Sequence, residues 1–456
     1  MKQILRLYSS SRTILLLSGE LAVILGSFLL AILIAFQSQA GWVLWTSMWK
    51  VLGVAFLMLL CAYYMEMYDF EEPERSRETY TRILKLVGVV AFVLALIALT
   101  YPAFLVGRNA FFLALLIVTP FWMVWRTACE RLILHPALRE KVYLIGDGEL
   151  ARRVSNTIET RDELGMDLVG WEQYLGDPES GNEPLGRRLR DLAAKGEVER
   201  VVVALTDRRS TMPVKELLDL RLSGVVVEDA TTLLENVSGK IEVDELRPSW
   251  LIFGEGFRLR PKHWLSRRIV STLASLLLTL LTIPIVPLIA LLIKLTSPGP
   301  VLYRQKRVGR RGKSFDCYKF RTMRCDAEAD TGPTWASDSD PRITKFGRFL
   351  RLSRLDEIPQ LWNVLKGDMA FVGPRPERPE FVNQLNQVIP FYNVRQATYP
   401  GITGWAQVSY RYGNTVEDAK EKLRYDLYYI KNCSVAFDLW IVFKTIRTVL
   451  FGRGAR

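Results

Sequence analysis

The chain has 456 residues, 49% of them hydrophobic, and a formal charge of +12. That length suits two or three domains, and the basic balance points to anionic partners such as a membrane surface or phosphates. Five scattered cysteines without a CxxC argue against a zinc site and a disulfide framework, and two histidines, His135 and His263, far from any nucleophile motif, argue against a His-based triad or metal centre. Carboxylates are left as carriers of acid/base or covalent chemistry.

Residues 1–133 hold four apolar runs, about Thr13–Phe36, Trp42–Met65, Ile83–Leu105 and Phe111–Trp125. The first three are long enough to span a bilayer and the fourth is near the lower limit. The first is too long for a cleaved signal peptide. Lys2, Arg6 and Arg12 precede it, Arg75, Arg77, Arg82 and Lys85 flank the second loop, and Arg131, Arg139 and Lys141 follow the fourth run. The positive-inside rule then puts both ends of a four-helix transmembrane bundle in the cytoplasm. Glu20 and Lys50 lie within runs one and two; with no partner identifiable, a packing or interfacial role is expected for them.

Residues 139–250 read as a Rossmann-like α/β domain. Lys141–Ala151 is a buried-type strand followed by GxGxxA and a helix, and Arg200–Leu205 and Gly224–Glu228 are further strands. The turn at Gly146, Gly148 and Ala151 suits a phosphate on backbone N–H groups. No acidic residue is evident after the next strand, so a structural or regulatory domain is as well supported as a binding one.

A linker at 251–264 leads to a fifth apolar run, Ile269–Leu295, placed in a membrane segment at 265–300. Pro284 and Pro287 interrupt it, where proline breaks the helical ladder. Both flanks are basic: Arg267 and Arg268 before, and Lys294, Arg304, Lys306 and Arg307 after. A span cannot satisfy the positive-inside rule at both ends, whereas a re-entrant helix broken at Pro284 can. Tyr303–Arg324 then carries nine basic residues against the single acid Asp316, with aromatics between them. A nucleic-acid groove fits that composition, but directly after a membrane segment, lipid phosphate or a diphosphate substrate is the better partner. Asp338-Ser339-Asp340 matches the DxD of metal-dependent glycosyltransferases and equally ordinary turn chemistry before Pro341. Ile343, Phe346, Phe349 and Leu350, beside Lys345, Arg348 and Arg351, compose an interfacial amphipathic helix.

The stretch Arg351–Pro376 places Asp356 and Glu357 ahead of a short helix. Leu355, Ile358, Leu361, Trp362 and Leu365 share one face of it. The ordinary meaning of such acids is an N-cap; the functional one is a phosphate-handling site at a helix N-terminus. GPRP (Gly373–Pro376) presents Arg375, whose planar fork suits bidentate phosphate binding. The segment Asp426–Leu450 reads equally as an interfacial helix or as core.

From Arg267 onward the motifs resemble the bacterial sugar transferases, the polyprenyl-phosphate hexose-1-phosphate transferases. They are IKLTSPGP (Ile293–Pro300), RVGRRGKSFDCYKFRTM (Arg307–Met323), GRFLR and LDEIPQLWNVLKGDM within Gly347–Met369, VGPRP (Val372–Pro376) and PGITGWAQ (Pro400–Gln407). The whole chain is similar to the large form of the family, and its C-terminal part to members found with exopolysaccharide clusters. It departs at Thr322 and Arg354, where the family often has Ser.

The resemblance implies a mainly α-helical interfacial catalytic domain at 301–456 on the cytoplasmic face of the inner membrane, and membrane lipid as a partner. It also implies that Asp356 attacks a UDP-sugar to form a phosphosugar-aspartyl intermediate, with release of UMP. Polyprenyl (undecaprenyl) phosphate would then take the phosphosugar. On the same grounds Glu357 holds Mg²⁺, and Lys313, Lys319, Arg321, Arg375 and Arg411 clamp phosphates. A homodimer through the upstream domains is a further implication. Three alternatives stand beside this. They are an NAD-dependent nucleotide-sugar dehydratase, a non-catalytic scaffold for polysaccharide assembly, and a DxD glycosyltransferase that would release UDP.

Overall fold

The computed structural model describes residues 11–65, 67–68, 76–101, 107–133, 139–161, 164–172, 185–205, 213–244, 246, 256–257, 261–325, 327, 340–410, 413 and 415–450. The chain divides into two compact units, 2–237 and 238–456.

The first unit begins with four apolar helices, α1 (Ser11–Phe36), α2 (Ala40–Tyr64), α3 (Ser76–Thr100) and α4 (Arg108–Ile133). Helix α1 packs on α2 and α4, and α3 packs on the same two. Ile24, Phe28, Met58, Leu86 and Trp122 fill the space between them. Trp45, Phe56, Phe92 and Leu116 are exposed. Helices apolar on both faces belong in a membrane or a large core. By length and composition Leu15–Tyr64 (two helices in succession), Glu78–Thr100 and Asn109–Cys129 suffice to cross a bilayer. The fourth run proves longer than its apolar stretch, because α4 continues to Ile133 with Pro120 inside it.

Glu20 has the partner that sequence alone could not assign. It is fully buried on α1, and Arg126 Nε of α4 donates to its Oε1 at 2.6 Å. Trp122 Nε1 donates to the same oxygen at 2.9 Å, and Tyr68 donates to the other. Arg126 also donates to the Met67 carbonyl at 2.7 Å. The two residues lie 106 positions apart, out of reach of any spacing argument.

The α/β part holds β1 (Glu140–Gly146), α5 (Gly148–Thr160), β2 (Met166–Glu172), α6 (Leu185–Ala194), β3 (Arg200–Ala204), α7 (Val214–Leu222), β4 (Val226–Asp229) and α8 (Ala230–Ser238). Its sheet is parallel in the order β2-β1-β3-β4. Strand β2 was not anticipated: it is an edge strand of alternating burial rather than a continuous apolar run. It ends on an acid, Glu172, whose carboxylate accepts from Tyr143 Oη at 2.9 Å and from Arg188 Nη2 at 2.8 Å. Gly146 and Gly148 open α5 as expected, both at positive φ. A Cβ on Gly146 would lie 2.2 Å from the Ala204 carbonyl oxygen, so the glycine is required by the approach of β3.

The second unit contains α9 (Pro261–Thr282), α10 (Val286–Thr296), the antiparallel hairpin β5 (Leu302–Val308)–β6 (Ser314–Phe320), α11 (Lys345–Leu352), α12 (Gln360–Lys366), β7 (Ala370–Val372), α13 (Pro379–Val388), β8 (Gly401–Thr403), α14 (Trp405–Ser409), α15 (Val416–Asn432) and α16 (Val435–Leu450). Strands β7 and β8 pair in parallel. Pro284 sits in the turn between α9 and α10, and Pro287 in the first turn of α10, where a missing N–H costs nothing. Helix α9 alone is long and apolar enough to cross a bilayer. Leu273, Leu277, Leu281, Ile285, Leu288 and Leu295 are exposed along the pair.

Both ends of this pair are fastened to one body. At the start, Arg267 Nε donates to Asp438 Oδ2 at 2.7 Å, Arg268 Nη1 donates to the Met369 carbonyl at 3.0 Å, and Ser271 Oγ accepts from the Phe371 N–H. At the exit, Arg321 donates to the carbonyls of Ser297 and Pro298, both at 2.7 Å. The C-terminal segment proves to be core at the end of α15, where Leu427, Tyr428, Tyr429 and Ile430 are buried all round the helix, and at Phe437 and Ile441 of α16, while Leu439 and Ile446 of α16 are exposed.

Candidate active site

The two acids lie in a single 3-10 turn, Leu355–Glu357, and not in the helix that follows. Helix α12 has only seven residues, with Pro359 as its N-cap. Leu355 and Ile358 therefore pack against α10 and α11 instead of extending one helical face, and Trp362 is exposed at 62%. Arg354, two residues before Asp356, takes the left-handed conformation (φ 57°), which is uncommon for a residue with a Cβ, and marks the entry to the 3-10 turn that carries both acids.

Asp356 and Glu357 are 6% and 7% exposed and line a cavity of about 650 Å³. Glu357 Oε1 accepts from Arg375 Nη2 at 2.7 Å and from Lys319 Nζ at 3.2 Å, and Arg354 Nη1 lies at 3.8 Å. Lys319 Nζ is 4.0 Å from Asp356 Oδ2. The electrostatics separate the two acids. Burial alone would raise Glu357, but Arg375, Lys319 and Arg354 outweigh it and hold the carboxyl well below the usual range. For Asp356 burial wins: with Glu357 beside it, its carboxyl is pushed above the ordinary aspartate value despite Lys319, Arg351 and Arg375. One acid is thus held as a permanent anion among cations, while its neighbour keeps a more basic, less strongly paired carboxylate.

Each cation is placed by local structure. Lys319 projects from β6, whose partner strand fixes it opposite Tyr303. Arg375 is presented by GPRP, between two prolines. Arg351 turns inward from α11, its Nε donating to Thr322 Oγ1 at 2.9 Å. That bond needs α11 against the end of β6, and a Cβ on Gly347 would lie 2.1 Å from the Thr322 carbonyl oxygen. Arg321 lines the cavity but uses its terminal nitrogens on Ser297 and Pro298, which makes it the fastening of α10 as well as a wall of the site.

Lys313 stands exposed at the end of the hairpin and is not among the residues lining the cavity. Arg411 and Asp338 lie outside the described residues. Asp340, the second acid of DxD, is 2% exposed and closed by Arg342, whose Nη2 lies 2.6 Å and Nε 2.8 Å from the carboxylate. Among the described residues no three His, Cys, Asp or Glu side chains gather as a metal site. Asp356 and Glu357 still suit Mg²⁺, which takes one or two carboxylates and completes its shell with substrate phosphates and water.

Arg354, Arg351, Arg395 and Asp426 were not singled out by motif reasoning, yet all four line the cavity. Arg354 was visible only as a departure from Ser. Arg395 and Asp426 carry no local signal, because their partner is made by folding.

The model of the bacterial sugar transferase family matches residues 262–452. Among similar proteins, the UDP-N-acetylgalactosamine-undecaprenyl-phosphate N-acetylgalactosaminephosphotransferase of Aeromonas hydrophila is 43% identical over 52% of this chain and 55% of its own length. The UDP-glucose:undecaprenyl-phosphate glucose-1-phosphate transferase of Escherichia coli (strain K12) is 33% identical over 68% of each chain. The undecaprenyl-phosphate glucose phosphotransferase of Komagataeibacter xylinus is 33% identical over 70% of this chain and 60% of its own. The match thus spans 55% to 68% of these relatives.

Proposed function

Since the chain belongs to the bacterial sugar transferases, we propose that it transfers a hexose-1-phosphate from a UDP-sugar to polyprenyl phosphate, releasing UMP. The observation that carries this reading is the pair of unlike buried acids in a cation-lined cavity. Asp356, the more basic acid, attacks the sugar-linked phosphorus; an Asp–phosphate bond forms as the bond to UMP breaks. The phosphate oxygen of the lipid then displaces the carboxylate, which restores Asp356 and yields the polyprenyl-diphospho-sugar. Splitting one transfer into two through a carboxylate is sound covalent catalysis. Lys319, Arg351 and Arg375 offset charge that develops on the transferred phosphoryl group. Mg²⁺ held by Glu357, with Asp356 beside it, would neutralise the diphosphate. Arg411 stands as a further phosphate partner by resemblance.

The site belongs at a headgroup plane, because one substrate is water-soluble and the other is a lipid. The re-entrant reading of α9 and α10 supplies this. It is supported by the fastening of both ends of the pair to the same body, whereas a spanning pair would separate them across the bilayer. A cysteine label at Arg456 reached from the periplasmic side would refute it. The four apolar helices are read as a transmembrane bundle with both ends cytoplasmic, in the inner membrane.

The deciding experiment gives the protein, in nanodiscs, polyprenyl phosphate, Mg²⁺ and a panel of UDP-sugars including UDP-glucose, UDP-galactose and UDP-N-acetylgalactosamine. UMP appearing with one sugar supports phosphosugar transfer and identifies the donor. UDP would move the reading to glycosyl transfer, and no nucleotide with any sugar to a scaffold.

A further inference from the structure

The cavity continues past the two acids to a second buried ion pair. Arg395 Nη2 lies 2.9 Å from Asp426 Oδ2, at 9% and 2% side-chain exposure. Arg395 Nη1 donates to Tyr392 Oη at 2.5 Å, with the guanidinium 5.1 Å from that ring. The same Nη2 donates to the carbonyl of Arg375 at 2.9 Å. Four successive carbonyls around Arg375 are each taken by a donor from elsewhere in the fold. Pro374 is held by the Gly401 N–H (2.9 Å), Arg375 by Arg395, Pro376 by Arg307 Nη1 (3.0 Å) and Glu377 by the Val308 N–H (2.9 Å). The flanking prolines lock φ and leave Arg375 the only residue of Pro-Arg-Pro with a backbone donor. The root of the Arg375 side chain is therefore fixed, and its far end meets Glu357 at 2.7 Å.

We propose that Arg395 and Asp426 are positioning residues for Arg375: a charged strut, seated on α15, that aims the guanidinium at the reacting phosphate. This rests on the phosphosugar-transfer reading and adds to it two residues that touch neither acid. An arginine is needed because one planar fork serves a carbonyl, a phenol and a carboxylate together, and an uncompensated guanidinium there would be costly without Asp426. The other charged groups facing Asp426 are Glu377 and Lys422. Lys422 donates to the Gly413 carbonyl at 2.7 Å. Misplacement of a charge-stabilising group by about 1 Å costs on the order of 10²-fold in rate.

The test is a double-mutant cycle on UMP release by the full chain in nanodiscs, using Asp426→Asn, Arg375→Ala and the pair. Asp426→Asn is expected to lower kcat about 10²-fold with a much smaller change in donor KM. Arg375→Ala should cost at least as much. The pair should be no slower than Arg375→Ala alone, because Asp426 acts only through Arg375. Losses that multiply, or Asp426→Asn within twofold of the unaltered protein, would overturn the strut. If Asp426→Asn fails to fold, Arg395→Lys takes its place in the same cycle. It keeps a cation beside Asp426 but cannot serve all three partners, and the same two outcomes decide. Absence of UMP from the unaltered protein overturns the transfer reading and the strut together. UMP from it with multiplied losses overturns the strut alone.

Discussion

Two of the buried acid–arginine clusters among the described residues are opposite in character. In the first unit Glu20 meets one arginine, Arg126; their charges cancel, and Trp122 and Tyr68 complete the bonding. In the second, Asp356 and Glu357 face Lys319, Arg351, Arg354 and Arg375 around an open cavity. The first cluster is balanced and joins two helices, α1 and α4. The second carries surplus positive charge that a diphosphate would neutralise, and its two acids are driven apart in basicity. Burial of charge does not by itself mark a site; imbalance beside accessible volume does.

The contrast can be broken most sharply at Asp356, the proposed nucleophile. Asp356→Asn is expected to abolish UMP release, by about 10³-fold or more, since an amide cannot form the covalent intermediate; near-normal turnover would end the covalent mechanism. Chelation by EDTA should reduce the same assay to background, with Mg²⁺ restoring it. Arg375→Ala should lower kcat by roughly 10²–10³-fold, the cost of losing one charge-stabilising donor, read in the same assay with thermal stability little changed. Glu20→Leu should behave oppositely. It strands Arg126 and should cost about 3–5 kcal/mol of stability. Glu20→Leu with Arg126→Met should recover most of it, and turnover per folded molecule should stay normal throughout. The smallest effect concerns pH. In the proposed mechanism the attacking form of Asp356 is the carboxylate, and burial raises its pKa, so UMP release should fall as pH drops, beginning above the ordinary aspartate value of about 3.9. Glu357 moves the other way and should add no limb in that window.

Much of this was legible in the chain alone, and the reason is range. Apolar runs, the break at Pro284, the glycine turn at Gly146 and Gly148, and the acids Asp356 and Glu357 with Arg375 are local patterns, set by helix length, backbone φ and residue chemistry within a few positions. The ordered motifs from Arg267 onward were enough to indicate the family. Strand β2 escaped because an edge strand is half exposed and lacks a continuous apolar run. The helical face drawn through Leu355 and Trp362 failed because Leu355 lies in a 3-10 turn that ends at Glu357, while α12 starts separately after its N-cap Pro359. Only tertiary structure could pair Glu20 with Arg126, close Asp340 with Arg342, leave Lys313 at the hairpin end, and bring Arg395 from beyond α13 to the carbonyl of Arg375 and Asp426 from α15 to Arg395. Those arrangements depend on which desolvated charges find partners once distant elements pack, and that free energy has no signature in local sequence.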